Sequence, residues 1–378
     1  MYLKKTNLVK SSFIVHHSSF MNPFKAIIKG TGSTLPAQVI KNESFTHHKF
    51  YEKSGKKSEK PSLEIVAKLE SITGIRERRY IPDNEDSVPL MVSGAAKAIA
   101  NAGIQLNDLQ GIIVAHNAGN MLEKGKGFHT VPNLAARLKH ELKIENYDCF
   151  AYDILFGCPG WLQGVIQAKQ HLADNEDAQN ILVVGLEVAS RMLDPHDLDS
   201  MIFADGCGAC VVSRSHDENI GILSYSTYSH AQADVSCIYQ GESYSADLQG
   251  SGFVKMNGRD VYKYATTWVP KVIKKALDKV GKSLKDVDMF LFHQANGKML
   301  GAIAQNIATL YDDKTYNFDG KIPTTIEFLG NTSVATIPTM LDLIQHGQLG
   351  DYQIKKGQLV VMASVGAGMH CNAIVYQF

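Results

Sequence analysis

The chain of 378 residues is 44% hydrophobic, which supports large cores and either two domains or one large duplicated one. Lysine plus arginine and aspartate plus glutamate both number 38, so no net field recruits nucleic acid or an anionic membrane. No apolar stretch is long and clean enough for membrane insertion, and six cysteines without framework spacing point to a reducing, cytoplasmic compartment.

Residues 1–21 are basic and serine-rich and read as a disordered extension; a mis-chosen start ahead of Met21 and a targeting segment are the other readings. Phe24 to Lys29 reads as a strand, and Gly30 to Pro36 as a turn leaving it. The GxG there lacks the third glycine and the apolar helix of a dinucleotide fingerprint. A polar, lysine-rich stretch (46–62) precedes a short amphipathic helix over about 62–72. The basic cluster Thr73-Gly-Ile-Arg-Glu-Arg-Arg-Tyr80 is either a solvated turn or a phosphate contact. Helical spacing over 88–103 ends at Gly103, a C-cap, and Gly111 to Ala115 is a buried strand. The glycine-rich loop from His116 to Val131 is long enough to be a site loop or an interface arm. A helix is predicted over 132–143 and a strand over 148–155.

Asp153 begins an apolar run that reaches Cys158, and Pro159 then opens a segment with helical spacing. That places Cys158 at a helix N-terminus, where free N–H groups and the dipole favour a thiolate. Ile181 to Gly185 is another buried strand, followed by Glu187 and a charged loop. The small residues of Phe203 to Val212 suit close backbone approach, and Cys207 and Cys210 within that run are not read as a zinc pair. Residues 221–256 read as strand and loop.

Ala98-Ile99, Gly103, Leu106 and Asp108 ahead of the strand at Ile112 recur as Ala276-Leu277, Gly281, Leu284 and Asp286 ahead of Phe290. This helix–turn–strand unit predicts two similar α/β halves, 22–215 and 216–378, the first carrying the cysteine. The second half offers His293 at the end of a buried strand and Asn331 in a turn entering an apolar helix. Each has a plain alternative: a satisfied structural histidine, and a helix cap at Asn331 or Thr332. Together a thiol, an imidazole and a carboxamide suit carbon–carbon condensation. The thiolate takes an acyl group from a thioester, and two neutral donors steady the enolate that attacks it. Gly366-Ala367-Gly368 offers N–H groups for the tetrahedral oxyanion.

In combination these segments resemble the β-ketoacyl-acyl-carrier-protein synthase III family of the thiolase superfamily over roughly residues 24–378. The resemblance rests on TGIRERR (73–79), Cys158, FADGCGA (203–209), KMNGRDVYKYA (255–265), HQAN (293–296), GNTS (330–333) and the terminal SVGAGMHCNAIVYQF. It implies a five-layered αβαβα thiolase fold, a homodimer, catalytic Cys158, His293 and Asn331, and oxyanion contacts from the N–H groups of Cys158 and Ala367. It implies acyl carrier protein as partner, docking at Lys298, with Lys263 and Lys274 extending the patch. No cofactor or metal is implied; acyl thioesters are the substrates.

The chain departs from the family where coenzyme A is usually clamped. The Trp and two Arg positions correspond to Lys68, Ile72 and a residue near Leu198, without the aromatic surface or guanidinium fork. The partner's Phe that normally enters the acyl pocket corresponds to Val131, a smaller side chain, while Phe156 and Trp161 are expected to shape the rest. These changes favour a carrier-bound acyl group larger than acetyl. The leading expectation is acyl transfer to Cys158, then Claisen condensation with a malonyl- or β-ketoacyl-carrier protein. The alternative is a ketosynthase joining two acyl chains into a cyclohexanedione precursor of dialkylresorcinol or flexirubin-type lipids. Plain O/N-acyl transfer and a non-catalytic partner subunit rank below both.

Overall fold

The computed structural model describes residues 24–121, 127–250 and 252–378. The expected extension at 1–21 and the middle of the 116–131 loop lie outside them. In chain order the first half runs β1 (Lys25–Thr34), β2 (Gln38–Lys41), α1 (Ser62–Thr73), β3 (Glu77–Tyr80), α2 (Val88–Ala102), β4 (Gly111–Ala115) and α3 (Leu134–Glu141). It continues with β5 (Phe150–Ile154), α4 (Gly160–Asp174), β6 (Asn180–Val188) and β7 (Asp205–Ser215). The second half runs β8 (Gly221–Ser229), α5 (Ala231–Asp234), β9 (Ile238–Gly241), β10 (Phe253–Met256), α6 (Gly258–Asp278) and β11 (Met289–Phe292). After it come α7 (Gly297–Leu310), α8 (Ile326–Leu329), α9 (Thr336–Gln345), β12 (Leu359–Gly366) and β13 (His370–Gln377).

Two mixed sheets carry the architecture. The first has the order β1-β7-β6-β4-β5 and the second β11-β12-β13-β8. In both, parallel pairs (β4 with β5 and β6, β11 with β12) give way to antiparallel ones toward the other edge. Their strands are Val/Ile/Leu-rich because both faces are covered. One apolar cluster joins the inner faces of both sheets (Ile113, Val183, Leu291, Met362) to α4 and α9 between them. A second covers the outer face of the first sheet with α2 and α3, and a third covers the second sheet with α6 and α7. The layers are therefore α2/α3, sheet, α4/α9, sheet, α6/α7: five, as expected.

The duplication is visible at atomic detail. Gly103 caps α2 and Gly281 follows the end of α6 by three residues, both with the same left-handed φ of 64°. Each is followed by a 3-10 turn, Leu106–Asp108 and Leu284–Asp286, capped reciprocally by its aspartate before the next strand.

Two local expectations are corrected. Gly30 and Gly32 do not turn out of a strand but lie inside β1, beyond a bulge between Ile28 and Gly30. A Cβ on Gly30 would sit 2.3 Å from the Ala102 nitrogen, so the glycines let α2 lie directly on the strand. In the TGIRERRY cluster Arg76 keeps the solvated, charged character expected, 69% exposed and paired with Glu327 at 2.6 Å, but Arg78 does not. Arg78 in β3 is fully buried, donating to Asn42 Oδ1 (2.7 Å) and the Met201 carbonyl (2.7 Å) with its guanidinium over the Phe45 ring.

Candidate active site

The nucleophile turn is built by close packing. β5 delivers Leu155-Phe156-Gly157, and Gly157 adopts a left-handed φ of 64° to swing the chain into Cys158. Pro159 is the N-cap of α4, which begins at Gly160, one residue later than the sequence reading placed the helix start. A Cβ on Gly157 would lie 2.8 Å from the Ala367 nitrogen, and one on Gly366 would lie 2.5 Å from the Cys158 nitrogen. The end of β12 thus lies flat against the turn, bringing the N–H-bearing atoms of Cys158 and Ala367 into one neighbourhood.

A cavity of about 270 Å³ opens beside the sulfur. Leu155, Met192, Phe203, Ile238 and Val254 give it apolar walls, with Asn117, Glu187, Gln240 and Ser333 as polar points. The helix N-terminus expected to favour a thiolate is opposed here by burial. Burial pushes the Cys158 thiol up to about 12; the Ser333 hydroxyl and the residue's own N–H pull it down, while the Glu187 charge adds to the rise.

The second half reaches this cavity through a channel of glycines. Gly185, Gly206 and Gly208 leave space on the first sheet for the backbone from Thr332 to Thr339; a Cβ on Gly208 would meet the Thr339 nitrogen at 2.6 Å. Asn331 is locked there by its backbone, donating to the Ile202 carbonyl and accepting from the Ala204 N–H. Its Oδ1 accepts from the Ser333 N–H at 2.9 Å, which commits the amide end of the side chain to donation. Ser333 Oγ stands 3.4 Å from Cys158 Sγ. His293 is buried just past β11, its N–H held by the Ala363 carbonyl of β12, three residues before the Gly366-Ala367 turn. Burial depresses its pKa to about 4, so the ring is neutral at physiological pH. Its Nδ1 has no protein partner among the described residues.

Other expected residues are placed as follows. Phe156 stacks on His370 with ring centroids 4.3 Å apart, Trp161 is buried in the central layer, and Val131 is 80% exposed. None of the three lines the cavity of the single chain. Lys298 is exposed at the start of α7 and Lys263 on α6, whereas Lys274 is paired with Asp278 at 2.9 Å. Ile72 and Leu198 are 39% and 42% exposed, apolar where an anion clamp was looked for.

Sequence reasoning missed the cavity roof and the polar support of the sulfur. The β9–β10 hairpin supplies Ile238, Tyr239, Gln240 and Val254 to the wall. It is pinned by Lys255, 1% exposed, whose Nζ reaches Asp194 (2.5 Å) and Asp197 (3.2 Å) above the Tyr244 ring. The signal was present as a lysine inside an otherwise apolar strand. Glu187, an acid closing a buried strand, was the equivalent clue on the other side.

Five layers made from two like halves are the thiolase fold. Comparison with known proteins agrees. Residues 152–231 match the family described as 3-oxoacyl-[acyl-carrier-protein (ACP)] synthase III, and 277–378 match its C-terminal counterpart. A β-ketoacyl-[acyl-carrier-protein] synthase III of Vibrio vulnificus is 32% identical over 93% of this chain and 99% of its own. One from Brucella anthropi is 30% identical over 94% and 99%. The solved 3-oxoacyl-[acyl-carrier-protein] synthase III of Aquifex aeolicus superposes with a TM-score of 0.73 at 26% identity, covering 94% of this chain and all of that one. The chain belongs to the 3-oxoacyl-[acyl-carrier-protein] synthase III family and is a condensing acyltransferase of that type.

Proposed function

We propose that Cys158 takes an acyl group from a carrier-protein thioester and that His293 and Asn331 then drive its condensation with a malonyl- or β-ketoacyl-carrier protein. The observation that carries this reading is the cavity beside Cys158, where the Ala367 backbone and the Asn331 turn converge on one sulfur. In the first step the thiol sulfur bonds to the acyl carbon while its proton leaves for the departing carrier thiol. The N–H groups of Cys158 and Ala367 receive the oxyanion. In the second, loss of carbon dioxide or of a proton from the extender leaves an enolate. The neutral imidazole of His293 and the amide of Asn331 donate to its oxygen, and its carbon displaces the sulfur. A neutral His293 suits donation, because an imidazolium would hand over its proton and quench the carbanion.

A carrier-bound donor longer than acetyl is the finer proposal. The apolar walls around Met192, Phe203 and Ile238 suit an alkyl chain, and exposed Ile72 and Leu198 offer nothing to a nucleotide phosphate. Lys298 and Lys263 are the proposed contacts for acidic carrier protein. We also propose a homodimer through β5, an edge strand with no neighbour on its far side among the described residues. Exposed Leu155 follows β5, and Val131 stands just before Asn133, whose side chain bonds the β5 carbonyl of Ala151.

The test is intact-protein mass spectrometry of wild-type and Cys158→Ala protein, each exposed to acetyl-coenzyme A, medium-chain acyl-carrier protein and β-ketoacyl-carrier protein. A Cys158-dependent adduct from long carrier-bound chains is the expected result. Rapid acetylation by acetyl-coenzyme A would return the chain to simple initiation, and no adduct from any donor would remove the assignment of Cys158.

A further inference from the structure

A directed chain of hydrogen bonds ends on the Cys158 sulfur, and its first two members have no part in the chemistry above. Glu187, 1% exposed at the end of β6, accepts through Oε1 from the backbone N–H groups of Asn117 (3.3 Å) and Ala118 (2.7 Å). Its Oε2 accepts from Asn117 Nδ2 at 2.7 Å. The same Nδ2 donates to Ser333 Oγ at 3.1 Å, and that hydroxyl donates onward to Cys158 Sγ at 3.4 Å.

The directions follow from the groups themselves. An ionised carboxylate only accepts and an amide nitrogen only donates, so both Asn117 hydrogens are assigned. The Ser333 oxygen already accepts from Asn117, which leaves its single hydrogen for the sulfur. Ser333 is held to this task at some cost: its φ of 51° is left-handed, rare for a residue other than glycine, and its N–H is fixed on Asn331 Oδ1. Resting on Cys158 as the nucleophile, we propose that Glu187 and Asn117 are positioning residues that aim the Ser333 hydroxyl hydrogen at the sulfur and so favour its thiolate during acyl transfer.

Two effects of Glu187 have opposite signs, which makes the proposal decidable. As a nearby negative charge it disfavours a thiolate. As the anchor of the relay it favours one. Glu187→Gln removes both at once, and because the Ser333 hydrogen bond weighs more on the thiol than the Glu187 charge, the net expectation is a less favoured thiolate. A Gln whose Oε1 keeps the two backbone N–H groups turns its Nε2 toward Asn117. The Asn117 carboxamide must then flip, and its oxygen captures the Ser333 hydrogen, so the relay reverses without change of shape.

The experiment is the pH dependence of Cys158 alkylation by iodoacetamide, read by intact mass in the full-length protein, with Cys158→Ala as background. Glu187→Gln and Ser333→Gly are both expected to react about three- to tenfold more slowly at each pH below the thiol pKa, the scale of one hydrogen bond. Glycine takes the left-handed φ without strain, so a slower Ser333→Gly is not a backbone effect. A rate in Glu187→Gln equal to or above wild type, or an unchanged rate in Ser333→Gly, overturns the relay. Should Glu187→Gln fail to fold, Asn117→Ala releases the hydroxyl while leaving the Glu187 charge and its two backbone N–H contacts in place; it is expected to slow alkylation, and an unchanged rate overturns the proposal. Loss of the relay leaves the Cys158-dependent acyl adduct in place, whereas loss of that adduct would remove the functional reading itself.

Discussion

His293 is the residue whose environment most constrains the chemistry. Burial holds its pKa near 4, well below the ordinary 6.5, so it stays unprotonated across the physiological range. Condensation by wild-type protein is therefore expected to keep its rate as pH falls from 7 to 5, with no loss centred near 6.5. Replacing the ring by His293→Ala should cut condensation by about 10²–10⁴-fold while acyl loading of Cys158 persists. Loading and condensation assayed separately check this; loss of loading to the same degree would make His293 a partner of the thiol instead. Cys158, His293 and Asn331, the proposed catalytic residues, could be singled out in the sequence because Pro159 follows the cysteine, a buried strand ends at the histidine and Gly330 precedes the asparagine, although Phe328 and Leu329 ahead of it form the short helix α8 and not a strand. Asn117, Glu187 and Ser333 were not read as one group, because the contacts that join them span up to 216 residues of chain.

At the scale of elements, the β9–β10 hairpin depends on a buried charge cluster. Lys255→Met leaves Asp194 and Asp197 without their cation in a dry site, and is expected to destabilise the protein by about 3–5 kcal/mol. The double variant Lys255→Met/Asp194→Asn should recover part of that, and urea unfolding of both measures it. A Lys255→Met protein as stable as wild type would show that the hairpin is held by its apolar contacts alone. The helices were readable from the sequence because their apolar spacing and glycine caps are local. The Gly30–Pro36 run was misread for the opposite reason. What makes those glycines necessary is α2 lying on the strand, and that helix begins more than fifty residues later. Arg78 was similarly opaque: its acceptors come from Asn42 and Met201, and nothing adjacent in sequence hints that a guanidinium is buried.

For the whole molecule, the five layers follow from using one α/β unit twice, and the repeat at 98–114 and 276–292 already carried that information. How the halves interlock did not appear in either copy. The glycine channel at 185, 206 and 208 lets the Thr332–Thr339 chain of one half lie on the sheet of the other, so Cys158 comes from one half and His293 and Asn331 from the other. The proposed dimer would extend the first sheet through β5. In that strand Phe150 donates to Gln110 and Ile154 accepts from His116, so the intervening Ala151 and Asp153 N–H groups face away from β4. Ala151→Pro deletes one of these outward donors, and sedimentation equilibrium is expected to show a shift toward monomer with the far-ultraviolet spectrum retained. An unchanged association state would place the interface elsewhere.

The raised Cys158 thiol also bears on how the protein meets oxidants. Burial lifts all six cysteines above their ordinary range, the nucleophile included. Peroxide attacks thiolates, so sulfenic acid formation is slow wherever the proton is retained. By that argument a resting Cys158 that keeps its proton is expected to react slowly with peroxide between turnovers.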